Sequence, residues 1–312
     1  MRLGTGPRLL TRPELRTYDT RVPLERRHLS VSLMCLHDSL AQAAGLGIRF
    51  YRLASRIVPL LSWRELGAFR RQLEECEALA HLVGDEARAT GVRLTVHPAL
   101  DVLLGSGDDE VVRRGIAAAT AWAELMAAMG LGPESCVVVH LGGEGREEAA
   151  VAAFARAVVE LPDEVRRRLA LENDERFCSL QMALSLHRLT GVPVVWDYLH
   201  WRWRSPLGAR AREAYLAAAG TWEAGIPPKV HFSSPRTAAV GRGQPLARAH
   251  ADFIDPFSFL DFLRELGHDC DVMLEARAKD LALLKLRADL EALGCGHLLC
   301  EDVGVALSAC LA

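Results

Sequence analysis

Eight short runs rich in β-branched residues alternate with long amphipathic stretches along this chain, and no other feature limits the fold as much. The runs are Met1–Gly4, Gly47–Leu53, Val92–His97, Cys136–Leu141, Leu169–Glu172, Val192–Asp197, Lys229–Ser233 and Asp271–Glu275. Helical patterns rich in Ala, Leu, Glu and Arg occupy 31–44, 65–90, 110–130, 146–160, 176–190, 207–219, 256–266 and 278–292. Runs such as VVVHL (137–141) and VPVVW (192–196) are continuously apolar, as strands buried on both faces of a parallel sheet are. Eight βα repeats favour closure into one (β/α)8 barrel, the TIM barrel of the α/β class, over an open doubly wound sheet. No G-x-G-x-x-G turn follows an early strand to argue otherwise. We expect a single barrel domain over residues 1–312, with an irregular basic loop over about 5–30 after a weak first strand.

Charge and cysteine usage narrow the function classes. The net charge of −3 makes the whole molecule no polyanion binder, so a nucleic-acid site has to be a local basic patch. Residues 1–30 hold seven Arg against Glu14, Asp19 and Glu25. Elsewhere Arg is also strongly preferred, and Lys occurs only at 229, 279 and 285. Eight Cys are scattered without a CxxC pair, several in apolar runs, which reads as reduced thiol rather than a disulfide framework. No apolar run reaches membrane-spanning length and no signal-peptide pattern opens the chain, so a cytoplasmic location is expected, with no membrane association and no obligate protein partner.

The chemistry gathers at the ends of the predicted strands. Strand three ends in His97, strand four in His140, strand five in Glu172 and strand six in Asp197, with His200 three residues on. Strand seven carries Lys229 and His231, the loop after it His250, and strand eight ends in Glu275. In a (β/α)8 barrel all strand C-termini converge on one mouth, where active sites are built. Carboxylates crowded there would raise one another's pKa, a conflict that divalent cations remove. Mixed imidazole and carboxylate suits Mn²⁺, Zn²⁺ or Fe²⁺ better than a Mg²⁺ or Ca²⁺ site. So many candidate ligands exceed the needs of one ion, implying two or three.

Lys229 beside His231 can be neutral, act as an acid, or be carboxylated to a bridging ligand, whereas Arg stays protonated. A snorkelling lysine at a strand start is the bland alternative. Trp201, Arg202, Trp203 and Arg204 follow strand six, with Trp196 and Tyr198 just before. Interleaved Arg and aromatics fit phosphate contacts with base stacking, and equally fit packing against neighbouring helices.

The strings RLTVHP (93–98), VVVHLGG (137–143), LALENDER (169–176), VPVVWDYLHW (192–201), PKVHFSS (228–234) and DVMLEARAKD (271–280) resemble the UV damage endonuclease (UvdE) family in order and separation. The resemblance runs from about Arg2 to Lys279 and implies a TIM barrel with a metal cluster, manganese first and zinc or iron as further candidates. It implies metal-assisted hydrolysis of a phosphodiester 5′ to a lesion in damaged double-stranded DNA. It also implies ligand roles for His97, His140, Glu172, Asp197, His200, His231, His250 and Glu275, a carboxylatable Lys229, and Lys229 and His231 as proton handlers.

The departures fall on substrate-facing positions. After the strand-three His-Pro the family has Gly-Gln-Tyr, whose Gln and Tyr wedge into the duplex; here Ala99, Leu100 and Asp101 stand there. Leu100 can serve as an apolar wedge. The family's Tyr after the first strand is Thr5, and its substrate-side His in the second strand's loop is Arg56. Arg56, Leu100, Trp201, Arg202, Trp203 and Arg204 are therefore the candidate substrate contacts. Competing readings are a xylose-isomerase-like sugar isomerase or epimerase, a phosphoesterase acting on a non-DNA substrate, and a non-catalytic DNA-binding scaffold.

Overall fold

Eight parallel strands close into a barrel in the order β1 to β8, each hydrogen-bonded to its sequence neighbours, with β1 also paired to β8. The computed structural model describes residues 1–59, 62–98, 102–143, 147–236, 249–266 and 270–299. The strands are β1 (Leu3–Thr5), β2 (Phe50–Leu53), β3 (Arg93–Val96), β4 (Val137–Val139), β5 (Leu169–Glu172), β6 (Val194–Asp197), β7 (Lys229–Phe232) and β8 (Asp271–Leu274). The helices are α1 (Leu29–Gly45), α2 (Leu66–Glu75), α3 (Glu77–Ala89), α4 (Asp109–Ala128), α5 (Glu147–Glu160), α6 (Asp163–Arg166), α7 (Leu180–Thr190), α8 (Tyr198–Arg204), α9 (Ala211–Ala219), α10 (Pro256–Leu266) and α11 (Lys279–Ala292). Among the described residues no helix is long and apolar enough to cross a membrane.

The (β/α)8 expectation therefore holds, with corrections inside it. The pattern over 65–90 is two helices, α2 and α3, broken at Cys76, where no Pro or Gly marks the break. A short extra helix, α8, follows β6 directly because the Asp197 carboxylate accepts from the His200 N–H and caps it. The weak β1 is held from both sides, Gly4 registering with Phe50 on β2 and Met273 on β8. Gly4 has no alternative there, since a Cβ would lie 2.8 Å from the Phe50 carbonyl oxygen.

Strand alternation sorts the side chains into two environments. Leu94, Val96, Val137, Val139, Leu169, Leu171, Val194, Trp196, Val230 and Val272 join the large core between sheet and helices. Val138, Ala170 and Val195, one residue out of phase, form a small apolar cluster with Cys136. The same phase carries charge elsewhere: Arg93 donates to Asp271 at 2.8 Å, both fully buried, and the Arg93 guanidinium stands 5.4 Å from the Phe50 ring. Continuing that phase to the strand ends gives His140, Glu172, Asp197 and Glu275.

The segment between β1 and α1 is pinned rather than loose. Buried Asp280, at the start of α11, accepts from Leu10 N at 2.6 Å, Thr11 N at 3.0 Å and Thr11 Oγ1 at 2.5 Å. The Tyr51 hydroxyl donates to the Pro7 carbonyl. Asp280→Ala strands two backbone donors and a hydroxyl, so urea unfolding is expected to show a loss of about 2–3 kcal/mol. An unchanged unfolding midpoint would show that water replaces the carboxylate freely.

Candidate active site

The C-terminal mouth of the barrel opens into a cleft of about 750 Å³. Glu172, from β5, is its centre. Its Oε1 accepts from His231 Nδ1 at 2.7 Å, and its Oε2 lies 2.9 Å from His97 Nε2 and 3.8 Å from His140 Nε2. Glu275 Oε1 is 3.4 Å from His231 Nδ1, and its Oε2 is 3.6 Å from His250 Nδ1. Asp197 Oδ2 is 3.5 Å from His200 Nδ1. The His200 and His250 rings are 5.7 Å apart, and those of His97 and His140 4.8 Å. All eight residues named as ligand candidates thus meet at one mouth.

Two sub-groups are tight enough to close on an ion: His97, His140 and Glu172, and then Glu172, Asp197, His231 and Glu275, each with ligand atoms within 4.8 Å of one another. Glu172 belongs to both. The donor set, imidazole with carboxylate, fits a divalent transition metal. Three buried polar atoms of the cluster have no hydrogen-bond partner among the described residues: His140 Nδ1, Asp197 Oδ2 and His200 Nδ1. Buried groups of this kind are normally satisfied, and a cation among them would meet that need.

Electrostatics carries the same strain. Burial pushes Asp197 up to about 8, with Glu172 and Glu275 adding to the effect and His200 opposing it. Burial also acts against charge on His200, but Asp197, Glu172, Glu175 and Glu275 outweigh it and push the ring up to about 9. Glu172 and Glu275 are desolvated as well, yet His231 and His140 hold the first well below the usual range, and Arg52 and His231 the second. Burial lowers His97 and His250 and brings His231 down to about 4, which favours the neutral ring that ligates metal.

Lys229 lies wholly buried below the cluster. Its Nζ donates to Thr95 Oγ1 at 3.1 Å and stands 5.6 Å from the Phe50 ring. Burial pushes its ammonium down to about 7, with Arg52 and Arg93 assisting, so the neutral amine is accessible near neutrality.

Several site residues escaped the sequence reading. Arg52, the charged residue of β2, donates to Glu275 Oε1 and approaches His231 Nε2 at 3.3 Å. Its signal was a lone charge inside an apolar strand, in the inward phase. Asn173 exchanges hydrogen bonds with the Asp197 backbone at 2.9 and 3.1 Å and fixes β6 beside β5. Asp174 Oδ1 accepts from the N–H groups of Arg176, Phe177 and Cys178, folding the turn that brings Glu175 Oε2 to 3.4 Å from His200 Nε2.

The candidate substrate contacts divide. Arg56 is exposed and lines a groove of about 590 Å³ with Arg8 and Arg16, which adjoins the mouth at Ser55. Leu100 lies outside the described residues. Trp201 is corrected: it is buried, 5.4 Å from the Trp196 ring and 6.1 Å from that of Tyr198, in a core cluster with Phe262. Its remaining surface lines a separate groove of about 620 Å³ with Arg202, Arg210 and Arg212. Arg202 stacks on Tyr198 at 5.6 Å, Trp203 is partly exposed, and Arg204 is 3.9 Å from Glu147. None of these four lines the cleft at the mouth.

Comparisons with known proteins bear on this arrangement. The profile of a family described as UV-endonuclease UvdE matches residues 29–300. The UV DNA damage endonuclease of Bacillus velezensis is 30% identical over 285 residues, covering 88% of this chain and 84% of the relative. That of Bacillus pumilus is 30% identical over 256 residues, covering 79% and 76%. The crystal structure of SacUVDE superposes with a TM-score of 0.78 at 25% identity, covering 94% of this chain and 99% of the other. D-psicose 3-epimerase from Clostridium cellulolyticum H10 reaches a TM-score of 0.53 at 13% identity over 88% of this chain and 84% of its own, a likeness of fold alone.

Proposed function

The chain belongs to the UV-endonuclease UvdE family, and on that premise we propose that it is a metal-dependent DNA endonuclease cutting the phosphodiester 5′ to a lesion. The observation that carries the reading is the shared carboxylate of Glu172, around which His97, His140 and His231 converge within 3.8 Å. His97, His140 and Glu172 would hold one ion and Glu172, Asp197, His231 and Glu275 another, with His200 and His250 at the rim able to complete a third. The donor set suits manganese, zinc or iron alike, and the family resemblance puts manganese first. Bound divalent ions supply Lewis-acid charge to a phosphodiester and acidify water.

The chain's own groups do the rest. His231 sits between Glu172, 2.7 Å from its Nδ1, and Arg52, 3.3 Å from its Nε2, and the two together fix the orientation of its ring. Arg52 draws Glu275 into place and adds a permanent cation beside the position of a phosphate. Lys229 Nζ, neutral or protonated near pH 7, can give or take a proton from beneath the cluster, or be carboxylated as a bridging ligand. Thr95 Oγ1 orients that amine. The Arg8, Arg16 and Arg56 groove beside the mouth supports a polyanionic strand as substrate.

The test is cleavage of an end-labelled duplex carrying one cyclobutane pyrimidine dimer, with Mn²⁺, against the undamaged duplex. A single cut immediately 5′ to the dimer, absent from the undamaged strand, is the expected result. Metal-loaded protein that cuts neither duplex would remove damaged DNA as the substrate and return the site to a smaller phosphoester.

A further inference from the structure

The turn from Glu275 to Asp280 carries four charged side chains besides the backbone that links β8 to α11, and three have partners. Glu275 pairs with Arg52, Arg277 lies 3.6 Å from Asp252, and Asp280 clamps Leu10 and Thr11. Lys279 has no hydrogen-bond or ion-pair partner among the described residues, although it is only partly exposed. It is also the one described non-glycine residue with positive φ, at 51°. Lysine is a poor choice for left-handed backbone, and nothing local, such as an Asn-type hydrogen bond, relieves it.

The strain gives the side chain a particular course. It crosses buried Gly6, where a Cβ would meet Lys279 Cδ at 3.1 Å and Nζ at 3.4 Å. Gly6 follows β1, so the ammonium lies over the β1–β8 rim of the mouth. Burial lowers its affinity for a proton, the Arg52 charge adds to that and Glu275 opposes it, which sets the amine in the same field as the cleft. The other lysines are already committed, Lys229 to the barrel interior and Lys285 to Asp289 at 2.6 Å.

We infer that Lys279 is a phosphate-contact residue, whose ammonium takes a non-bridging oxygen of the DNA backbone where the strand crosses the β1–β8 rim. The inference rests on the DNA reading above and adds to it a substrate-positioning group outside the ligand set. A compact ammonium with three free donors meets a phosphate oxygen without breaking an existing pair.

The experiment is equilibrium binding of metal-loaded protein to a dimer-containing duplex with a non-hydrolysable linkage 5′ to the dimer, across a salt series, together with thermal melting. Lys279→Gln is expected to weaken binding about tenfold and flatten the slope of log K against log salt by about one. Lys279→Arg is expected to keep the slope. Lys279→Gly is expected to lose binding as the Gln variant does while melting higher, because glycine relieves the positive φ. A lysine that only supports the fold would give the reverse, a lower melting temperature with the slope intact, and that result overturns the inference. If the parent fails to bind DNA, both readings fall; if the parent binds and both uncharged variants keep its slope, only the role of Lys279 falls.

Discussion

Glu172→Gln is expected to empty the metal centre and stop cleavage together. The carboxylate lies in both sub-groups of candidate ligands, and each oxygen meets a different histidine, His231 at 2.7 Å and His97 at 2.9 Å. An amide keeps the shape but has one acceptor oxygen and no charge, so neither ion keeps its shared ligand. Cleavage of the dimer duplex should fall by roughly a thousandfold or more, a ligand loss being at least as severe as removal of a supporting group. Metal retained through gel filtration, read by elemental analysis, should fall with it. The parent should melt higher as Mn²⁺ is added, by about 2.7 kcal/mol of stability at a hundredfold excess over Kd, while the variant should not respond. Full metal content in an inactive variant would make Glu172 a proton carrier rather than a ligand.

Lys229→Met carries the second large effect, and its two readouts should move in opposite directions. The lysine is fully buried with one hydrogen bond, to Thr95, and an aromatic ring below it. Methionine fills nearly the same volume without an ammonium to desolvate. Metal-free protein should gain on the order of 1–3 kcal/mol, as buried charges replaced by apolar groups often do. Cleavage should drop by about 10²–10⁴, the range of a lost acid or base. Lys229→Arg should be the worse replacement for stability, since guanidinium stays charged and needs more room. A destabilised Met variant with ordinary cleavage would assign Lys229 to the fold alone.

The legible parts of the site share one property: their function follows from position on a strand. Alternation places His140, Glu172 and Asp197 in the inward phase, and parallel order gathers them at one end, so pattern alone brings them together. Arg52 obeys the same rule, but nothing in the sequence separates a strand-interior arginine that reaches the site from one that pairs within the barrel, as Arg93 does. Trp201 shows the opposite case, a residue whose burial no strand rule foretells. The string WDYLHWRW places aromatics beside basic residues, but the Asp197 cap starts α8 at once, and that short helix turns Trp201 into the core with Trp196. Nothing in the string announces which face of a seven-residue helix is covered.

The sequence by itself determined the strand count and the parallel order, and set eight candidate ligands at strand ends and just after them, because these depend on period-two alternation and on chain order, both local quantities. Only the tertiary structure decided which candidate ligands lie within 4.8 Å of one another, that Arg52 holds Glu275, that Lys229 lies beneath the cluster and that Lys279 crosses Gly6 with its ammonium uncommitted. Those facts depend on register and on the approach of residues up to 273 positions apart, as with Gly6 and Lys279. Burial then sets the charge states, since desolvation is a property of the closed barrel and not of any segment within it.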